Sequence, residues 1–159
     1  FAWLMMIYPS LLVARDFKFS FIPTLSIASL LMATWDLYLD PQMVSEGYWT
    51  WFADGNPTSQ IPVTNFFGWV ISAGLIYLLL LKLSNSELIS SSPSGSPLSQ
   101  APYLLILWVW LGSFLANVVT IEPFLGKPAV AWQGFIGMGI ILLPWLRQLL
   151  VARRMLLRP

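Results

Sequence analysis

Four apolar segments of near membrane-spanning length follow one another along the chain, at residues 19–38, 66–81, 103–121 and 129–146. A helix needs roughly 20 apolar residues to cross a hydrocarbon core about 30 Å thick. Lipid offers no water to a stray backbone N–H or C=O, so such segments fold as helices. Only 9% of residues are charged, against about 25% in an ordinary soluble domain. The expected fold class is therefore all-α, a polytopic integral membrane helical bundle. A fifth apolar run, residues 1–13, opens the sequence with Phe1. As a helix it extends only about 20 Å. The expectation is about five transmembrane segments with the first one truncated, and residues 1–159 forming one transmembrane domain whose N-terminal helices are missing. The run lacks the basic start and small-residue cleavage site of a signal peptide.

The connections set the orientation. Arg15-Asp16-Phe17-Lys18 reads as a tight polar turn, residues 84–100 as a serine-rich solvated loop, and residues 122–128, with Pro123, Gly126 and Pro128, as a short hairpin. With connections alternating sides, Arg15, Lys18, Lys82, Arg147, Arg153, Arg154 and Arg158 share one end of the bundle and Lys127 stands alone at the other. By the positive-inside rule the basic end, with the C-terminus, is expected in the cytoplasm of a prokaryotic cell. Beyond Leu146, basic and apolar residues alternate at helical spacing, as in an amphipathic extension on an anionic leaflet.

Histidine and cysteine are absent. That excludes thiolate nucleophiles, zinc–thiolate sites, histidine-bound iron clusters and histidine-ligated haem within this chain. No metal ligand set is expected, and no cofactor. A net charge of +1 gives no reason to expect a nucleic-acid partner.

Carboxylates are what remain. Asp36 and Asp40 close the second segment one helical turn apart, on one face. A carboxylate costs roughly 2.5–3.5 kcal/mol at the centre of a membrane helix and less near its ends. Asp40 before Pro41 also fits an N-cap with proline at the first position of a following helix. That accounts for Asp40 but leaves Asp36 unexplained. Residues 42–52, QMVSEGYWTWF, bring Val44, Tyr48, Trp51 and Phe52 onto one face. They read as an interfacial helix, or as a lid of π faces over the aspartates. In IPVTNFFGW, Thr64 can cap the third helix, Gly68 permits close helix approach, and Asn65 can hold a water or a carboxylate. Asn117 suits an interhelical hydrogen bond. Glu122 is either a third carboxylate of a site or a solvated acid at the interface.

The run TWDLYLDPQMVSEGYWTW, residues 34–51, followed by IPVTNFFGW, closely resembles the carotenoid biosynthesis membrane-protein family that includes carotenoid 1,2-hydratases and bisanhydrobacterioruberin hydratases. The resemblance implies hydration of the carbon 1–carbon 2 double bond of an acyclic carotenoid end, with no cofactor. It implies a lipid-soluble carotenoid substrate, membrane lipids as surroundings and other carotenoid-pathway enzymes as partners. It draws attention to Asp36, Asp40, Asn65 and Trp69, which stand in the motif blocks. On this hypothesis Asp36 is the proton donor and Asp40 the ionised partner that orients the water. Trp35, Trp69 and Tyr48 face the developing cation, and Glu122 completes the substrate-binding set. Two alternatives stay open at this point. One is a magnesium-dependent membrane prenyltransferase acting on an isoprenoid diphosphate, since Asp36 and Asp40 have suitable spacing. The other is a non-catalytic carotenoid-binding or scaffold subunit.

Overall fold

The computed structural model describes residues 2–52, 61–83, 100–119 and 127–156, with the backbone alone at Arg153 and Leu156. Among them lie five helices and no strand: α1 (Ala2–Asp16), α2 (Phe21–Ser45), α3 (Val63–Leu83), α4 (Ala101–Val119) and α5 (Pro128–Leu156). Helices α2 to α5 are each long and apolar enough to cross a membrane. The protein is thus the expected all-α membrane bundle.

Helix α2 is the axis of the bundle. It packs against α1, α3 and α5, while α4 lies on α5 and α1. Over its membrane-length window 56% of α2 is buried, against 17–22% in the other three spans. The outer helices therefore turn most of their apolar side chains outward, Leu75, Trp108 and Ile140 among them, as helices surrounded by lipid do. The core between them is built on Met6, Leu31, Met32, Tyr77, Met138 and Trp145.

Close approach of α2 and α5 depends on two glycines. A Cβ on Gly134 would meet the Tyr38 ring at 2.5 Å, and one on Gly137 would meet Leu37 Cδ1 at 2.8 Å. With no side chain there, the Tyr38 ring lies on the α5 backbone, and its hydroxyl donates to the Trp110 carbonyl at 3.3 Å. Trp110 Nε1 in turn donates to the Phe135 carbonyl at 3.0 Å. Gly68, by contrast, has nothing within 4 Å of its Cβ position and makes no close helix contact among the described residues.

At the basic end α1 stops where expected. Lys18 takes a left-handed conformation (φ 57°) and its N–H donates to the Arg15 carbonyl at 2.8 Å. Asp16 then ties three helices together. Its Oδ1 accepts from the Tyr103 hydroxyl at 3.2 Å and its Oδ2 from Trp145 Nε1 at 2.9 Å. Its carbonyl accepts from Gln148 Nε2 at 2.8 Å. Helix α5 continues past Leu146 without interruption to Leu156.

Three expectations are corrected. Pro41 does not begin a new helix, and Asp40 is no N-cap: α2 runs through both to Ser45. Proline removes one N–H, so the Leu37 carbonyl loses one bond, but Pro41 is buried in the packed interior and one lost bond does not end a helix held on three sides. Nor do residues 42–52 form an interfacial helix. Gly47, at φ +73°, ends α2: its N–H donates to the Val44 carbonyl at 3.1 Å and the Tyr48 N–H to the Met43 carbonyl at 3.0 Å. This is the paired bonding of a Schellman stop, which glycine permits at no steric cost. Thr64 lies inside the first turn of α3, which begins at Val63, and does not cap it. The loop at residues 84–99 and most of the hairpin at 122–128 lie outside the described residues.

Candidate functional site

At the end opposite Asp16, α2 buries both of its acids, with Asp36 4% and Asp40 2% exposed. The chain enters α3 through Ile61 and Pro62, and the Asn65 N–H bonds the Pro62 carbonyl at 2.9 Å. Asn65, in the first turn of α3, reaches across to α2. Its Nδ2 donates to Asp36 Oδ2 at 2.8 Å and to Asp40 Oδ2 at 2.6 Å. A primary amide has two N–H groups, so this one bridges the two carboxyls. Such a coupled pair takes up and gives off protons as one unit.

The two acids differ in what else they meet. The reversal at Gly47 brings Trp49 back over α2, and its Nε1 donates to Asp40 Oδ1 at 3.1 Å. Both oxygens of Asp40 are therefore engaged. Asp36 Oδ1 is buried and has no hydrogen-bond partner among the described residues. A buried polar atom left unpartnered costs roughly 1–3 kcal/mol, and such an orphan is uncommon outside a site that binds or reacts.

Asp36 stands in the wall of a cavity of about 540 Å³. Leu37 and Pro41 join it from α2, Ile61, Pro62, Val63, Asn65 and Phe66 from the start of α3, and Trp132, Gln133, Ile136 and Gly137 from α5. The lining is apolar apart from a few groups, as in most sites for hydrophobic ligands. Asp40 faces a second pocket of about 300 Å³ with Trp49, Thr50, Trp51, Asn65 and Trp69. Asn65 lines both spaces, with Asp36 in the wall of one and Asp40 in the wall of the other.

The structure gathers Asp36, Asp40, Asn65 and Trp69 in one place. It separates others from them. Trp35 is 5% exposed and lines neither pocket. Its ring packs edge-on against Trp69 at 6.0 Å, and Trp69 stacks on Trp3 at 4.4 Å. This pile of rings joins α1, α2 and α3. Tyr48 is 72% exposed and lines neither pocket, because the Schellman turn points it away. Glu122 lies outside the described residues. Asn117 makes no interhelical bond there: its Nδ2 donates to the Ser113 carbonyl of its own helix at 2.9 Å. Among the described residues no group of three Asp, Glu, His or Cys side chains gathers in one place.

Residue patterns alone did not single out Trp49, Phe66, Trp132 or Gln133. Trp49 was one ring in an aromatic run. Gln133 did carry a signal, as an amide inside the otherwise apolar segment 129–146.

No curated protein and no solved structure matches the chain. The family of carotenoid biosynthesis proteins matches over residues 1–150, which include every element of the acid pair and both pockets. The family found by this match is the one that the motif blocks around Asp36 and Asn65 resemble: the chain belongs to the carotenoid biosynthesis protein family.

Proposed function

We propose that the protein hydrates the carbon 1–carbon 2 double bond of an acyclic carotenoid end, with the Asp36–Asp40 pair as its acid–base machinery. The observation that carries this reading is Asp36 Oδ1, a buried carboxyl oxygen without a partner among the described residues, on a side chain that lines an apolar cavity. A carotenoid is an apolar rod dissolved in the bilayer, and its tip fits such a space. Asp36 gives a proton from Oδ1 to carbon 2. The positive charge develops on tertiary carbon 1, and water adds there. The proton released by that water returns to the carboxyl pair. One C–H and one C–O bond form, one C=C π bond is lost, and the oxidation state of the whole is unchanged. The addition therefore calls for no redox cofactor.

Asp40 is the ionised member, held by Trp49 and Asn65. Asn65 fixes the distance between the two acids. The basic end, with Arg15, Lys18 and Arg147, faces the cytoplasm of a prokaryotic cell on this reading. Pathway enzymes that supply the acyclic end are its natural partners.

Expression in a lycopene-producing host tests the reading. A new pigment heavier by one water, lost in Asp36→Asn, is the expected result. Unchanged pigment with an intact, folded protein would overturn it in favour of a scaffold. Release of diphosphate in a magnesium-dependent reaction would overturn it in favour of a prenyltransferase. That alternative needs cations to hold a diphosphate, and Lys127 is the one basic residue at the acidic end among those described.

A further inference from the structure

We propose that Gln133 is the residue that holds the attacking water in the cavity lined by Asp36, an assignment that rests on the hydration reading above. Among the twelve residues that line this cavity, three carry a side-chain carboxyl or amide: Asp36, Asn65 and Gln133. Asn65 uses its Nδ2 on the two aspartates. Asp36 presents the oxygen assigned to carbon 2. Gln133 is half-buried and has no hydrogen-bond partner among the described residues.

The register between α2 and α5 sets its depth. The two helices run antiparallel, with Gly137 against Leu37 and Thr34 and Gly134 against Tyr38. Gln133 precedes Gly137 by four residues and so shares its face of α5, one turn nearer the acidic end. It thus lies level with the stretch of α2 between Leu37 and Pro41, which both line the same cavity. Gln133 and Asp36 line the same cavity, from α5 and from α2.

Water has to reach carbon 1, the carbon next to the one that receives the proton. It also has to be held in a largely apolar space without quenching the acid. A neutral amide suits this task. Its carbonyl accepts one O–H of the water and turns the oxygen lone pair toward the cation, while its N–H groups leave the carboxyl undisturbed. Asp40 is poorly placed to do this, since both of its oxygens are engaged and it lines the other pocket. The earlier assignment of water to Asp40 therefore passes to Gln133, and Asp40 keeps the charge of the pair.

Protonation and capture are separable in heavy water. Membranes carrying the protein are suspended in D₂O with lycopene, and both hydrated product and deuterium at carbon 2 of recovered lycopene are measured. In Gln133→Leu, hydrated product is expected to fall at least tenfold while deuterium still accumulates in recovered lycopene. There the cation forms but loses a proton in place of gaining water. Gln133→Glu, which keeps an acceptor of the same length, is expected to recover part of the product. Wild-type hydration by Gln133→Leu overturns the assignment. So does equal loss of hydration and exchange in a variant that melts like wild type, because Gln133 would then act before the cation forms. Asp36→Asn is expected to lose both signals. If wild type itself neither hydrates nor exchanges, the hydration reading falls, and this assignment with it.

Discussion

Each end of the bundle holds an aspartate among apolar helices, and the two are partnered in opposite ways. At the basic end Asp16 engages both carboxylate oxygens and its carbonyl, with Tyr103 of α4 and with Trp145 and Gln148 of α5. All of that bonding joins helices. At the acidic end Asp36 shares a single amide with Asp40 and leaves Oδ1 unpartnered, among the described residues, beside a cavity of about 540 Å³. Asp16 is half-buried and Asp36 is buried, yet it is the deeper acid that is less fully bonded. The difference lies in whether the surroundings satisfy every oxygen or leave one buried without a partner among the described residues.

That contrast predicts a graded set of outcomes. The largest is Asp36→Asn. It preserves shape and removes the acid, so hydrated product should fall by about 10²–10⁴-fold, the usual weight of a general acid, with the thermal melt in detergent little changed. Asp16→Asn, run alongside, should keep most of its product; equal loss in both, with both proteins folded, would erase the distinction. Next is Asn65→Leu. Without the shared donor the pair loses its fixed spacing, and a misplacement of about 1 Å costs up to about 100-fold. Pigment analysis should find activity reduced well below wild type but above Asp36→Asn.

Asp16→Ala sharpens the other side of the comparison. It strands the Tyr103 hydroxyl and the Trp145 N–H, and should cost about 1–3 kcal/mol of stability, read as a lower melting temperature. Its turnover per folded molecule should stay near wild type. The smallest effect is expected from Trp49→Phe, which removes one N–H from Asp40 and keeps most of the ring. About 0.5–1.5 kcal/mol is at stake, so a loss of no more than about tenfold in product is expected. A Trp49→Phe variant as inactive as Asp36→Asn would show that Asp40, not Asp36, is the acid whose environment matters most.

The membrane-length segments, the all-α class and the polar turn at Arg15–Lys18 were legible from the chain because each depends on local composition. Lipid leaves an apolar run of about 20 residues no other backbone arrangement. The Asp36–Asp40 pair was legible too, since two acids one turn apart in an apolar run are costly wherever the helix packs. The stop at Gly47 was not read, because the pull of Asp40-Pro41 as a helix start and the aromatic periodicity of residues 42–52 suggested a break and a new helix. Tertiary burial of Pro41 overrode the first, and the glycine turn overrode the second.

Composition and spacing determined by themselves that this is a bundle of membrane helices, that most of its basic residues fall at one end, and which two of its acids stand together. Those features follow from the transfer cost of each side chain, which a residue carries with it into any fold. Only the tertiary structure decided that Asn65 bridges the pair, that both carboxylate oxygens of Asp16 are bonded while Asp36 Oδ1 has no partner among the described residues, and that Gln133 and Phe66 share a cavity with Asp36. These are distances between side chains far apart in sequence, and they are fixed by which helix faces meet. The absence of a Cβ at Gly134 and Gly137, which lets α5 close on α2, sets that meeting and with it the shape of the site.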